Sequence, residues 1–113
     1  MKVTRLNEAV AYYPPKHSST VYAMYLQHKN LDADAPYWVG CSYYLPGGTA
    51  EWDASPLHKI YVVLDGELTV STEHEETVLH AMDSVYLAPN ERRQVRNDSN
   101  RVATMLVIMP YSS

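Results

Sequence analysis

Four side chains of this 113-residue chain are of the types that move protons and hold oxygen: Asp53, Lys59, Tyr61 and Arg93. Arg93 offers a planar fork that suits a carboxylate. Lys59 adds a compact positive charge. A desolvated Lys loses basicity, which lets it donate a proton, accept one or attack a carbonyl. Asp53 is a candidate general acid or base. The Tyr61 hydroxyl can donate to a developing oxyanion. Side chains alternate across a strand, so Lys59, Tyr61 and Val63 share one face, and His58, Ile60 and Val62 the other. Arg93 and Val95 likewise share a face that Gln94 and Arg96 do not. A slip of one residue would exchange the faces.

The elements that must position these groups read as strands. Runs rich in β-branched and aromatic residues occur at Ser19–Gln27, Tyr37–Leu45, Lys59–Leu64, Glu67–Thr72, Thr77–His80, Ser84–Leu87, Gln94–Asn97 and Val102–Met109. Turn residues separate them: Pro46-Gly47-Gly48 closes one run, and Asp65-Gly66 is a hairpin signal. About eight short strands at this spacing predict a sandwich or barrel. Asn7–Tyr12 is expected to be a turn, and residues 28–36 a loop at the mouth of the barrel. No segment sustains a helical period.

Composition narrows the function classes. Nine Lys and Arg stand against thirteen Asp and Glu, a net charge of -4, which disfavours nucleic acid as a partner. The longest apolar run, Val102 to Pro110, is too short to span a bilayer, so no membrane partner is expected. Cys41 is the one cysteine and cannot form an internal disulfide. No basic start leads into an apolar run over Met1–Val10. Together these features predict a cytoplasmic protein without a secretory leader. The chain has ten Tyr and no Phe, which points to hydroxyls facing a polar cavity as well as rings packing the core. The five His are scattered, with no pair at ligand spacing, and each reads as a surface or hydrogen-bonded residue.

Two stretches, LPGGTAEWDASPLHKIYVVLDGEL (Leu45–Leu68) and HAMDSVYLAPNERRQVRND (His80–Asp98), resemble the two signature motifs of the cupin family. Gly48 stands at the family's opening Gly and Gly66 at its closing Gly; Met82 and Asn90 replace two further glycines. The family's metal-ligand positions fall on Asp53, Ser55, Lys59 and Arg93. The resemblance, covering about Tyr37 to Met109, implies an all-β, double-stranded β-helix (jelly-roll) barrel in a single domain over residues 1–113. In that domain residues 1–36 form N-terminal strands and a loop, and residues 37–109 the core barrel. It also implies that Lys59, Tyr61 and Arg93 turn inward, with Asp53 and Ser55 beside them.

Those substitutions exchange a metal site for a charged organic one. No cofactor is expected, because Lys59 and Arg93 would repel a cation and Asp53 alone suits one. The leading expectation is a metal-independent acid–base enzyme of isomerase, decarboxylase, cyclase or lyase type, acting on a small carboxylate- or carbonyl-bearing metabolite. Asp53, Lys59 and Tyr61 are the catalytic candidates; Arg93, Ser55 and Trp52 are the substrate-binding candidates, with Trp52 at the pocket rim. A non-catalytic sensor or carrier of a small anion is the alternative, as is a metal-dependent oxygenase or isomerase with an atypical divalent metal site. Asp53, Lys59 and Arg93 also admit a structural reading as an internal salt-bridge network. The small cupins this chain resembles imply a homodimer, with the Tyr-rich segment Tyr12–Tyr25 as the edge it pairs through.

Overall fold

The apolar and β-branched runs fold as ten strands: β1 (Val10–Tyr12), β2 (Val21–Gln27), β3 (Tyr37–Tyr44), β4 (Thr49–Asp53), β5 (Lys59–Asp65), β6 (Leu68–Thr72), β7 (Glu76–Leu79), β8 (Ser84–Leu87), β9 (Arg93–Arg96) and β10 (Ala103–Pro110). The computed structural model describes residues 1–111; Ser112 and Ser113, part of the expected domain, lie outside the described residues. Six strands form one sheet in the order β1-β2-β3-β10-β5-β8, and four form a second in the order β4-β9-β6-β7. Every pairing is antiparallel. The two sheets face each other as a jelly-roll barrel. Val63, Leu68, Val95, Met105 and Tyr44 are fully buried between them, each contributing about 1.5–3 kcal/mol of burial.

Two strands escape the sequence reading. Residues expected to make only a turn divide into a 3-10 turn, Leu6–Glu8, and the edge strand β1. β1 is three residues long and gains its hydrogen bonds only by lying along β2. β4 begins directly after the Pro-Gly-Gly turn and pairs with β9, which is distant in sequence.

Asp65-Gly66 also differs from the hairpin expected of it. β5 belongs to the six-stranded sheet and β6 to the four-stranded one, so the turn carries the chain around a corner between sheets. Gly66 has φ +75, and a Cβ there would lie 2.8 Å from the Val102 carbonyl. Only Gly fits. Met82 (φ 71) and Asn90 (φ 65) hold the same left-handed region with side chains attached. Their positions are those of the two replaced glycines, so the backbone has kept its shape while the residues have changed.

Candidate functional site

Inward-facing residues of β3, β5 and β10 line one cavity of about 70 Å³ at an open end of the barrel. Alternation accounts for the set: Trp38, Ser42 and Tyr44 on β3, Lys59 and Tyr61 on β5, and Met105, Val107 and Met109 on β10. Tyr12, His17 and Arg93 complete it from β1, the loop between β1 and β2, and β9. Gly40 leaves space on the inner face of β3. A Cβ there would come within 2.9 Å of both the Trp38 ring and the Tyr12 hydroxyl. Trp38 meets Tyr12 and Tyr25 edge-on at 5.7 and 5.8 Å, and these two tyrosines stack at 4.4 Å. An aromatic cluster therefore stiffens this wall.

Arg93 is buried, and part of its donor set is already engaged. Its Nε donates to the Tyr61 hydroxyl at 2.9 Å and its Nη1 to the Glu51 carbonyl at 2.8 Å. The ladder between β4 and β9 shifts register between Ala50 and Asp53, which frees the Glu51 carbonyl for this bond. A bidentate grip on a carboxylate would require Arg93 to release one of these partners. The fork thus presents single donors and holds the Tyr61 hydroxyl in place.

Lys59 sits beside Arg93, half-buried. Burial, reinforced by the Arg93 charge, draws its pKa down to about 8. Tyr61 moves the other way: burial raises its pKa although Arg93 opposes the shift, so it remains a neutral donor. Burial also raises Tyr12 and Tyr44. Three tyrosine hydroxyls thus line the wall, as the Tyr-rich, Phe-free composition led one to expect.

Tyr12, Trp38, Ser42 and Tyr44 were not among the sequence-derived candidates, and neither was His17, the one imidazole of the lining. Its segment runs along β4: Ser18 N–H donates to the Thr49 carbonyl at 2.8 Å, and Glu51 N–H to the Lys16 carbonyl at 2.9 Å. These bonds carry the imidazole to the cavity. Nδ1 lies 2.8 Å from the Pro15 carbonyl, which can only accept. Nδ1 therefore holds the proton, and Nε2 is the ring's acceptor. Burial lowers the pKa of His17, and the Arg93 and Lys59 charges push the same way. No motif marks this residue; only the path of the loop does.

The six sequence-derived candidates part company here. Lys59, Tyr61 and Arg93 line the cavity together. Asp53 does not line the cavity; it lies opposite Arg93 in the ladder, with its Oδ1 3.3 Å from Lys16 Nζ and 2.9 Å from the Ala54 N–H. The Ala54 bond and then Lys16 lower its pKa, so it is a carboxylate at neutral pH. Ser55 organises the loop between β4 and β5: its Oγ accepts from Leu57 N–H at 3.1 Å, and its carbonyl from Asn90 N–H at 2.6 Å. The Trp52 ring lies under the Arg92 guanidinium, 5.5 Å away, in a surface groove with Thr72 and Glu73.

A divalent cation does not suit this lining. One imidazole is accompanied by an ammonium and a guanidinium, and no carboxylate lines the cavity among the described residues. No group of three His, Cys, Asp or Glu approaches ligand geometry among those residues either. No described helix is long and apolar enough to cross a membrane.

Comparison with known proteins extends these observations. Residues 42–109 match the family model described as Cupin domain. The chain is 43% identical over 111 residues to a β-D-galactosidase of Mycobacterium tuberculosis (strain ATCC 25618 / H37Rv), spanning 98% of this chain and 95% of that protein. The polyketide cyclase RemF from Streptomyces resistomycificus superposes with a TM-score of 0.85 at 13% identity, over 97% of this chain and 79% of that one. A predicted oxalate decarboxylase from Thermotoga maritima gives 0.79 at 17% identity, over 99% and 100%. At such identities the two solved structures share the fold alone.

Proposed function

This chain belongs to the cupin family, and we propose that it is a metal-independent hydrolase of β-D-galactosides, working by acid–base chemistry at the mouth of the barrel. The observation that carries the reading is the meeting of Lys59 and His17 in one hydroxyl-lined cavity. Near-full-length similarity to a protein named a β-D-galactosidase supplies the substrate class. Tyr12, Ser42, Tyr44 and Tyr61 offer hydroxyls to a sugar, and the Trp38 ring offers an apolar face. A cavity of about 70 Å³ is far below the ~300–1,000 Å³ of a typical ligand pocket. It receives one end of the substrate while the remainder stays at the mouth.

The proton inventory suits hydrolysis. Lys59 is protonated at neutral pH and, softened by burial, donates to the leaving glycosidic oxygen. Nε2 of His17 takes a proton from water as that water attacks the anomeric carbon. The C–O bond breaks, the alcohol leaves with the Lys59 proton, and solvent exchange restores both groups. The supporting feature for a single displacement is a lining without a carboxylate nucleophile among the described residues, and the anomeric centre would then invert.

A second reading, binding of a small anion without conversion, draws on the two cations in the lining. The partly engaged Arg93 fork counts against the bidentate grip such a ligand would use.

Nitrophenyl β-D-galactoside discriminates. Protein from a galactosidase-deficient host, dialysed against chelator, should release nitrophenol. Lys59→Met should lower kcat/KM about 100-fold or more with its circular dichroism unchanged. Absence of hydrolysis by the wild type, or an unaffected rate in the variant, overturns the proposal. Thermal stabilisation by small carboxylates alone would favour the second reading.

A further inference from the structure

Lys59 has a capacity that glycoside hydrolysis does not use. It lines the cavity with Arg93 and His17, and the Arg93 charge acts on it. No carboxylate accompanies it in that lining, and it enters no ion pair among the described residues. A lysine set against another cation and partly desolvated gives up its proton readily, and the free amine attacks carbonyl carbon. Its pKa of about 8 agrees. The neighbouring groups match what a carbonyl guest needs. Tyr61 accepts from Arg93 Nε at 2.9 Å, which leaves its own O–H to donate to a ligand oxygen. Arg93 commits Nε to Tyr61 and Nη1 to the Glu51 carbonyl, so Nη2 is the nitrogen of the fork without a protein partner among the described residues. One nitrogen holds one carboxylate oxygen and disturbs neither bond. The cavity of about 70 Å³ has room for roughly two waters at ~30 Å³ each, which limits the guest to a few heavy atoms.

We propose that Lys59 forms an imine with a small α-oxo acid, whose carbonyl oxygen meets the Tyr61 hydroxyl and whose carboxylate meets Nη2 of Arg93. The Nζ lone pair forms a bond to the carbonyl carbon, and the C=O π pair moves to oxygen. Nε2 of His17, the ring's acceptor, takes one Nζ proton and returns it to that oxygen, giving a carbinolamine. The second Nζ proton leaves with the hydroxyl as water, the C–O bond breaks and C=N forms. Nothing is oxidised or reduced. Two cations in the lining favour an acid over a neutral aldehyde. The inference goes beyond the hydrolase reading and does not rest on it, because it uses the free amine where hydrolysis uses the ammonium.

Reductive trapping on the full chain tests it. Glyoxylate is the probe, and cyanoborohydride reduces its imine to a stable carboxymethyl amine. Peptide mass mapping then reads the modified fraction at each lysine with time. Lys59 should react about 10-fold or more faster than Lys2 and Lys29, which are exposed. Glycolaldehyde, which has the same carbon count without the acid, should show about 10-fold less preference for Lys59. Acetate should protect Lys59 and leave Lys2 and Lys29 unprotected. Arg93→Gln, with its circular dichroism unchanged, should erase the advantage of glyoxylate; acetate protection of the wild type reads the same seat if that variant does not fold. Lys59 reacting no faster than Lys2, or glycolaldehyde serving as well as glyoxylate, overturns the proposal. Neither measurement passes through galactoside hydrolysis, so each reading fails separately.

Discussion

Lys59 and His17 carry opposite protonation demands, and their environments meet both at one pH. Burial and the neighbouring Arg93 draw Lys59 down to about 8, so it stays an acid up to that point. Burial lowers His17 from 6.5, so it is a free base at neutral pH. Hydrolysis should therefore follow a bell: kcat/KM falls on the acid side, below the ordinary imidazole range, as His17 is protonated, and above about pH 8 as Lys59 loses its proton. Measuring it from pH 4 to 10 on the aryl galactoside checks this, and a rate still climbing at pH 10 would remove Lys59 as the acid. Lys59, Tyr61 and Arg93 could be read from the sequence because a motif register and a period of two placed them. His17 could not, because its position depends on hydrogen bonds between its loop and β4, a strand more than thirty residues away. Asp53 was legible as a charge, but nothing local reveals that Lys16 engages its carboxylate or that it stays out of the cavity lining.

At the scale of elements, turns mattered more than strands. Gly66, Met82 and Asn90 share the left-handed region at three corners. For Met82, 74% exposed and lightly packed, that conformation is a cost with no compensating burial. Met82→Gly should raise stability by about 0.5–1 kcal/mol, relief of the left-handed strain outweighing the extra entropy of an unfolded Gly. Urea unfolding at pH 7 measures it; a loss of stability would mean that the Met82 side chain packs usefully. Seven- and eight-residue strands such as β3, β5 and β10 were visible because their apolar and β-branched runs exceed local noise. β1 was not, because three residues carry no period of their own. Asp65-Gly66 was visible as a turn, yet sequence does not say whether the strands it joins pair with each other or part into different sheets.

The whole molecule holds a cationic cavity inside a chain of net charge -4. That burial has a price in stability, and Lys59 reports it. Its folded pKa of about 8 lies below the ordinary 10.5, so between those values the unfolded chain binds more protons and stability rises with pH. Below pH 8 the penalty is present in full. Lys59→Met should stabilise the fold at pH 7 by about 1–2 kcal/mol, after discounting for the solvent that screens a half-exposed ammonium. The gain should vanish above about pH 10.5, and equal gains at pH 7 and 11 would contradict it. Most of the jelly-roll strands and the inward face of β5 and β9 could be read along the chain, because strand period and residue type are local properties. Closure of the two sheets, by contrast, set His17 beside Lys59 and left Asp53 outside the cavity lining. Those outcomes depend on which strands close upon one another, and closure brings together residues whose separation along the chain carries no signal.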